Sequence, residues 1–129
     1  MREILFRGKR VGSGEWVVGT LVKMGPVGYV RHFILPDYAS AFYDIEVDPA
    51  TVGQYTGLTD KNDVRIFEGD IILISDSTKP VLVEFINFSW ECTNKKIGPY
   101  YRHRLEYNSK KYEVIGNIHD NPELLKEES

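Results

Sequence analysis

Cysteine is almost absent from this 129-residue chain: Cys92 stands alone, so no intramolecular disulfide can form. Neither Cys92 nor the three histidines have the paired spacing that zinc sites use, and no metal is expected. No apolar run approaches the ~20 residues that a bilayer-spanning helix needs. The opening residues, from Met1 to Arg7, carry charges throughout and lack the apolar core of a secretory signal. Together these absences predict a cytoplasmic protein with no membrane contact. A phosphate-cradling loop is missing too, because Gly8, Gly12 and Gly14 lack the trailing Lys-Ser/Thr and a following helix, and no cofactor is expected. The formal net charge of -3 argues against a surface built throughout to neutralise phosphates. Fixed-period repeats and low-complexity segments are also lacking, which disfavours a solenoid.

What is present points to a folded, mainly β protein. Hydrophobic residues at 42% and charged residues at 27% are ordinary for a soluble globular chain. Aromatics at 12%, many β-branched residues and 11 glycines favour short strands over long helices. Alternation predicts a first strand over Arg2–Arg7, a loop over Gly8–Gly14 containing Lys9 and Arg10, and a second strand over Glu15–Met24. Gly19 inside that strand is a candidate bulge or close backbone approach. Trp16 reads as core. Tyr29–Leu35 returns as a third strand, with His32 read as a hydrogen-bonded, partly buried imidazole, and Pro36–Tyr43 is irregular or one helical turn. Asp44–Val47 is a fourth strand, and Ala50–Tyr55 continues extended.

From Gln54 to Ile72 two glycine corners, Gly57 and Gly69, bracket a polar Asp60-Lys61-Asn62-Asp63 turn. Beyond them the unbroken run Ile71–Ile74 predicts burial on both faces. Val81–Phe88 alternates with Val81, Val83 and Phe85 on one face, and Trp90 and Cys92 extend it or enter a loop. Tyr100–Tyr107 and Tyr112–His119 are the last strands, and Pro122–Lys126 is a short helix capped by Asp120-Asn121. The expected organisation is two small intertwined β modules in one folding unit: residues 1–57, and residues 58–129 as an SH3-like barrel ending in the short helix.

Four stretches carry a resemblance to a known family. They are Met1–Arg7, Gln54–Asn62, Ile66–Ile71 and Val114–Leu125. Together, in this order and spanning nearly the whole chain, they resemble the YopX family of phage and prophage proteins. The chain departs from the family's pattern at Asp63-Val64-Arg65, where such proteins commonly carry a Gly and a Lys or Glu. The resemblance implies a mainly β protein of phage or prophage origin, in a bacterial cytoplasm, with no catalytic residue to carry over. The motif residues Tyr55, Gly57, Asp60, Asn62, Gly69, Asp70 and Gly116 have structural explanations as buried area, backbone freedom and local hydrogen bonding.

Chemistry-bearing patterns are few. Asp60-x-Asn62 opens like a calcium loop, but Val64, Arg65 and Ile71 stand where an EF-hand needs a ligand, a glycine and a glutamate. A cation held loosely by Asp60, Asp63, Glu68 and Asp70 is weighed below solvated turn carboxylates. Cys92 with His103 or His119, and the pair Glu84 and Glu91, have no activating context, so no enzyme is expected. The segment 95–112 is different. It holds Lys95, Lys96, Arg102, Arg104, Lys110 and Lys111 against Glu106 alone, interleaved with Tyr100, Tyr101, Tyr107 and Tyr112. Two functions fit it. The favoured one is a non-catalytic module for protein interaction or self-assembly, with another copy or a phage or host protein as partner. The alternative is a nucleic-acid-binding barrel that uses the cations for phosphates and the tyrosines for bases.

Overall fold

Short β-branched runs, each stopped by glycine, proline or an Asx turn, fold into eleven antiparallel strands in the computed structural model, which describes residues 4–36, 45–95, 98, 101–107 and 109–125. The opening of the expected first strand, residues 37–44, Lys96, Tyr100 and the end of the expected C-terminal helix lie outside the described residues. The chain divides into two units, Met1–Tyr55 and Thr56–Ser129.

The first unit contains β1 (Phe6–Lys9), β2 (Trp16–Met24), β3 (Arg31–Pro36), β4 (Ile45–Val47) and the start of β5 (Gly53–Thr59). Their hydrogen-bonded order is β4-β3-β2-β1-β5. Val17, Ile34, Ile45 and Val47 form the core, with Phe6, Leu21 and Val52 packed against it. Burying each such aliphatic side chain contributes roughly 1.5–3 kcal/mol. An isolated bridge, Arg10 to Val47, returns the end of β4 to the end of β1. Gly19 sits mid-strand between Phe6 of β1 and Pro36 of β3. A Cβ there would lie 2.1 Å from the Leu35 carbonyl oxygen, so its role is the close backbone approach, not a bulge.

The second unit holds the end of β5, β6 (Arg65–Phe67), β7 (Asp70–Ile74), β8 (Val81–Ile86), β9 (Ser89–Thr93), β10 (Arg102–Arg104) and β11 (Tyr112–Asn117). Thr56 ties β5 to β6 by donating from Oγ1 to the Ile66 carbonyl at 2.7 Å. The remaining strands form a sheet in the order β10-β9-β8-β7-β11. Its inner face buries Ile72, Val81, Val83, Cys92 and Tyr112 with Ile66 and Leu105. Among the described residues no ladder joins β10 to β11, so this sheet is open where the sequence predicted a closed SH3-like barrel.

Several boundaries differ from expectation. Gly8 and Lys9 belong to β1, because Arg7, Gly8 and Lys9 pair with Val18, Val17 and Trp16. Pro49–Thr51 forms a 3-10 turn instead of extended chain, capped by Asp48 accepting from the Ala50 N–H. The expected strand Val81–Phe88 ends at Ile86, and a two-residue turn leads into β9. Both turn residues have positive φ, Asn87 at 49° and Phe88 at 66°, the backbone twist that tight hairpins require. Phe85 is half exposed, unlike Val81 and Val83, and packs edge-on against Trp90 with ring centroids 4.9 Å apart. Among the described residues of the expected Tyr100–Tyr107 strand Arg102–Arg104 is extended, and those of the expected C-terminal helix form a 3-10 turn over Pro122–Leu125.

Replacing Gly19 with alanine forces a methyl into the Leu35 carbonyl and must separate β2 from β3. We expect Gly19→Ala to lower unfolding free energy by about 2–3 kcal/mol, measured by urea denaturation. A change under about 0.5 kcal/mol would show that the strands yield freely.

Candidate functional site

The basic segment meets the sheet at β10, and strand alternation decides which of its side chains share a face. Arg102 and Arg104 pair in register with Thr93 and Glu91 of β9, and Glu91 in turn faces Glu84 of β8. These side chains share the outer face. Arg102 Nε lies 3.7 Å from Glu91 Oε1, and Glu84 accepts a 2.7 Å bond from Thr93 Oγ1. Arg102 therefore meets Glu91, and two arginines on this face are balanced in number by two glutamates, so it is nearly neutral. Tyr101 and His103 lie on the opposite side, with ring centroids 4.8 Å apart in an edge-on contact.

On that inner side a cleft of about 240 Å³ opens beside the strand. Lys79 from the β7–β8 loop, Tyr101, His103, Glu106 and Lys111 line it over a floor of Ile74, Val81 and Tyr112, and Arg104 borders it from the strand. Lys111 Nζ is 2.7 Å from Glu106 Oε2, and this bond holds the Lys111 pKa above and the Glu106 pKa below their ordinary values. The described residues give Lys79 and Arg104 no ion-pair partner. Tyr112 is 1% exposed, and its hydroxyl accepts from the Glu106 N–H at 2.8 Å, so it is core and not a stacking surface. Tyr107 is 95% exposed; Lys95 and Lys110 are exposed away from this lining.

The first unit holds a larger hollow of about 520 Å³, lined by Lys9, Arg10, Arg31, His32, Glu46 and neighbours. Arg31 and Glu46 close on each other across it in a two-pronged bond of 2.6 and 2.9 Å. His32 is half-buried as expected, but its Nδ1 is buried with no hydrogen-bond partner among the described residues, against the satisfied imidazole read from sequence.

The catalytic candidates are quenched by their surroundings. Cys92 and His103 are cross-strand neighbours, yet the thiol is fully buried and burial pushes its pKa up to about 12, so it stays protonated. Glu84 and Glu91 face each other, each tied to a hydroxyl: Thr93 for Glu84, Ser89 for Glu91. His119 is exposed in the final turn.

The polar turn is the most organised polar feature of the second unit. Asp60 is 2% exposed, not a solvated turn carboxylate. Its Oδ1 accepts from the N–H groups of Asn62 at 2.8 Å and Val64 at 2.9 Å, while Oδ2 accepts from the Val114 N–H of β11 at 2.9 Å. Lys61 N–H also donates to the Tyr112 carbonyl. The turn thus occupies the outer edge of β11 as a further strand would. Asp70 is equally buried and caps the corner before it, its Oδ2 accepting from the Phe67 N–H at 2.7 Å. Both Asp60 oxygens and Asp70 Oδ2 are taken by amides, and among the described residues no three carboxylates come together as the loose cation cage would need.

A family profile described as YopX protein matches residues 6–126. The chain belongs to the YopX family. Among solved structures it is similar to the crystal structure of protein EF1440 from Enterococcus faecalis, with a TM-score of 0.52 and 22% identity over 98% of this chain and 100% of the other. That likeness is one of fold. No curated protein matches.

The YopX motif residues fall at corners and edges. Gly57 and Gly69 take φ of 90° and 92°. Tyr55 is buried and bonds the Leu5 carbonyl through its N–H. Asp63 takes φ 62°, and the turn is tight, with the Asp60 N–H bonded to the Val64 carbonyl at 2.7 Å. Gly116 follows the irregularity in β11, and a Cβ there would strike Asn121 Oδ1 at 2.6 Å.

Burial opposes the charge of Asp60, but the amide bonds from Val114, Val64 and Asn62 outweigh it and hold its pKa below the ordinary 3.8. A lowered folded-state pKa gives stability that is present above pH 3.8 and lost as pH falls through the folded value. Asp60→Asn, which turns a donor toward these amides, should cost roughly 2–3 kcal/mol at pH 7. That deficit should shrink in thermal melts taken from pH 5 down to pH 2; a deficit independent of pH would refute the role of the charge. For Cys92, a thiol reagent at pH 8 should modify less than about a tenth of the native protein, and all of it after denaturation.

Proposed function

We propose that this YopX-family chain is a non-catalytic module for protein interaction or self-assembly, made from a phage or prophage and acting in the bacterial cytoplasm, with its working surface on the second unit. The observation that carries this reading is the division of the basic segment by β10. Arg102 and Arg104 stand over Glu91 and Glu84 on one face, while Tyr101 and His103 turn to the other. A nearly neutral Arg/Glu face is poor at collecting phosphates and well suited to a protein surface of matching charge. Exposed aromatics add to it: Phe88 is 95% exposed at the β8–β9 tip, held at a φ that bulky side chains rarely take. The buried thiol and the tied carboxylates support the non-catalytic part of the reading.

A nucleic-acid reading keeps one observation in its favour, the excess of Lys79 and Lys111 over Glu106 around the cleft. Light scattering of the purified protein, with salt-titrated binding to short single- and double-stranded DNA, separates the two. The expected outcome is a mass of more than one chain and no DNA binding at low salt. A monomer that binds DNA with a steep salt slope, lost in Arg102→Glu/Arg104→Glu, would overturn the proposal.

A further inference from the structure

The two edges of the second sheet are finished differently. On β11 the Asp60 turn supplies the amides and carboxylate that a neighbouring strand would supply. On β10 no described strand lies beyond Arg102–Arg104. The Leu105 N–H donates to Trp90 of β9 at 2.9 Å. Since N–H groups alternate in direction along an extended chain, Arg104 turns its N–H and carbonyl to the open side. An open edge of this kind is a template for one more strand.

The cleft beside this edge says what that strand carries. Lys79 and Lys111 outnumber Glu106, so the lining has an excess of positive charge. The cations converge on a hollow of about 240 Å³, room for one or two side chains, with an apolar floor of Ile74 and Val81. A phosphate backbone needs instead a row of cations along a track. Arg102 and Arg104, which would extend such a row, point to the other face, Arg102 beside Glu91. Point recognition of a carboxylate next to a backbone template describes an extended acidic peptide.

We infer that the open edge of β10 accepts an extended acidic segment of a partner protein as an added strand, with a glutamate or aspartate side chain seated in the cleft near Lys79 and Lys111. The inference rests on the interaction-module reading and names the partner's chemistry at that site. Backbone bonds to Arg104 would supply binding without sequence preference, and the cleft would supply the choice of charge.

Fluorescence anisotropy with labelled synthetic peptides tests it. The probes are a hexapeptide alternating glutamate and valine, its glutamine counterpart, the glutamate peptide N-methylated at alternate amides, and a short oligothymidylate. The glutamate peptide should bind, weakening as salt rises, with the glutamine and N-methylated forms at least about tenfold weaker. Lys79 is exposed in a loop, so Lys79→Glu should fold normally, lose about tenfold for the glutamate peptide and gain for a lysine–valine peptide. Equal binding of glutamate and glutamine peptides, or no effect of N-methylation or of Lys79→Glu, would overturn the inference. Tighter binding of the oligonucleotide would replace it with the nucleic-acid reading. If no peptide binds but light scattering shows an oligomer, the inference falls and the module reading stands; a monomer that binds no probe removes both.

Discussion

One buried carboxylate organises the second unit. Asp60 gathers three backbone amides, two from its own turn and one from Val114, 54 residues further along the chain. For any of those amides that water could not reach, losing this acceptor would cost about 1–3 kcal/mol. The carboxylate thereby sets the turn's shape and the position of the last strand together. Ile66 and Phe67 follow immediately and are buried, so the same turn delivers β6 to the core. The charge is tolerated at 2% exposure because amide dipoles replace the water it has lost.

Much of the architecture is legible in local chemistry. Alternation marks β2 and β3, glycine marks the corners at Gly57 and Gly69, and the apolar run Ile71–Ile74 marks a strand whose first two residues are wholly buried. What is not legible depends on long-range pairing or on unusual backbone. The β8–β9 hairpin turns on Asn87-Phe88, and phenylalanine gives no turn signal, so one long strand is the natural reading there. β6 is three residues long, too short for periodicity to show. Asp60 looks like any turn acid until the strand it binds is placed.

The candidate surface was partly legible. Segment 95–112 does border a cleft, but reading its arginines and tyrosines as one surface ignored their parity. Arg102 and Arg104 sit two apart, and His103 between them must face the other way. That much could have been found by counting. The glutamates on the same face as the arginines could not, since Glu84 and Glu91 belong to two other strands and reach it only through register. Lys79 entered the site in the same way, from a loop that no local pattern connects with β10.

The covered edge at β11 bears on how many copies could ever join through this sheet. A sheet with two bare edges can grow from either side and continue as a fibre. With the Asp60 turn seated along one side, the described residues leave this sheet one open edge, and a second copy that used it would consume its own in the same act. Edge-to-edge association through the second unit therefore terminates at a symmetric pair, and a carboxylate in a turn becomes a limit on stoichiometry.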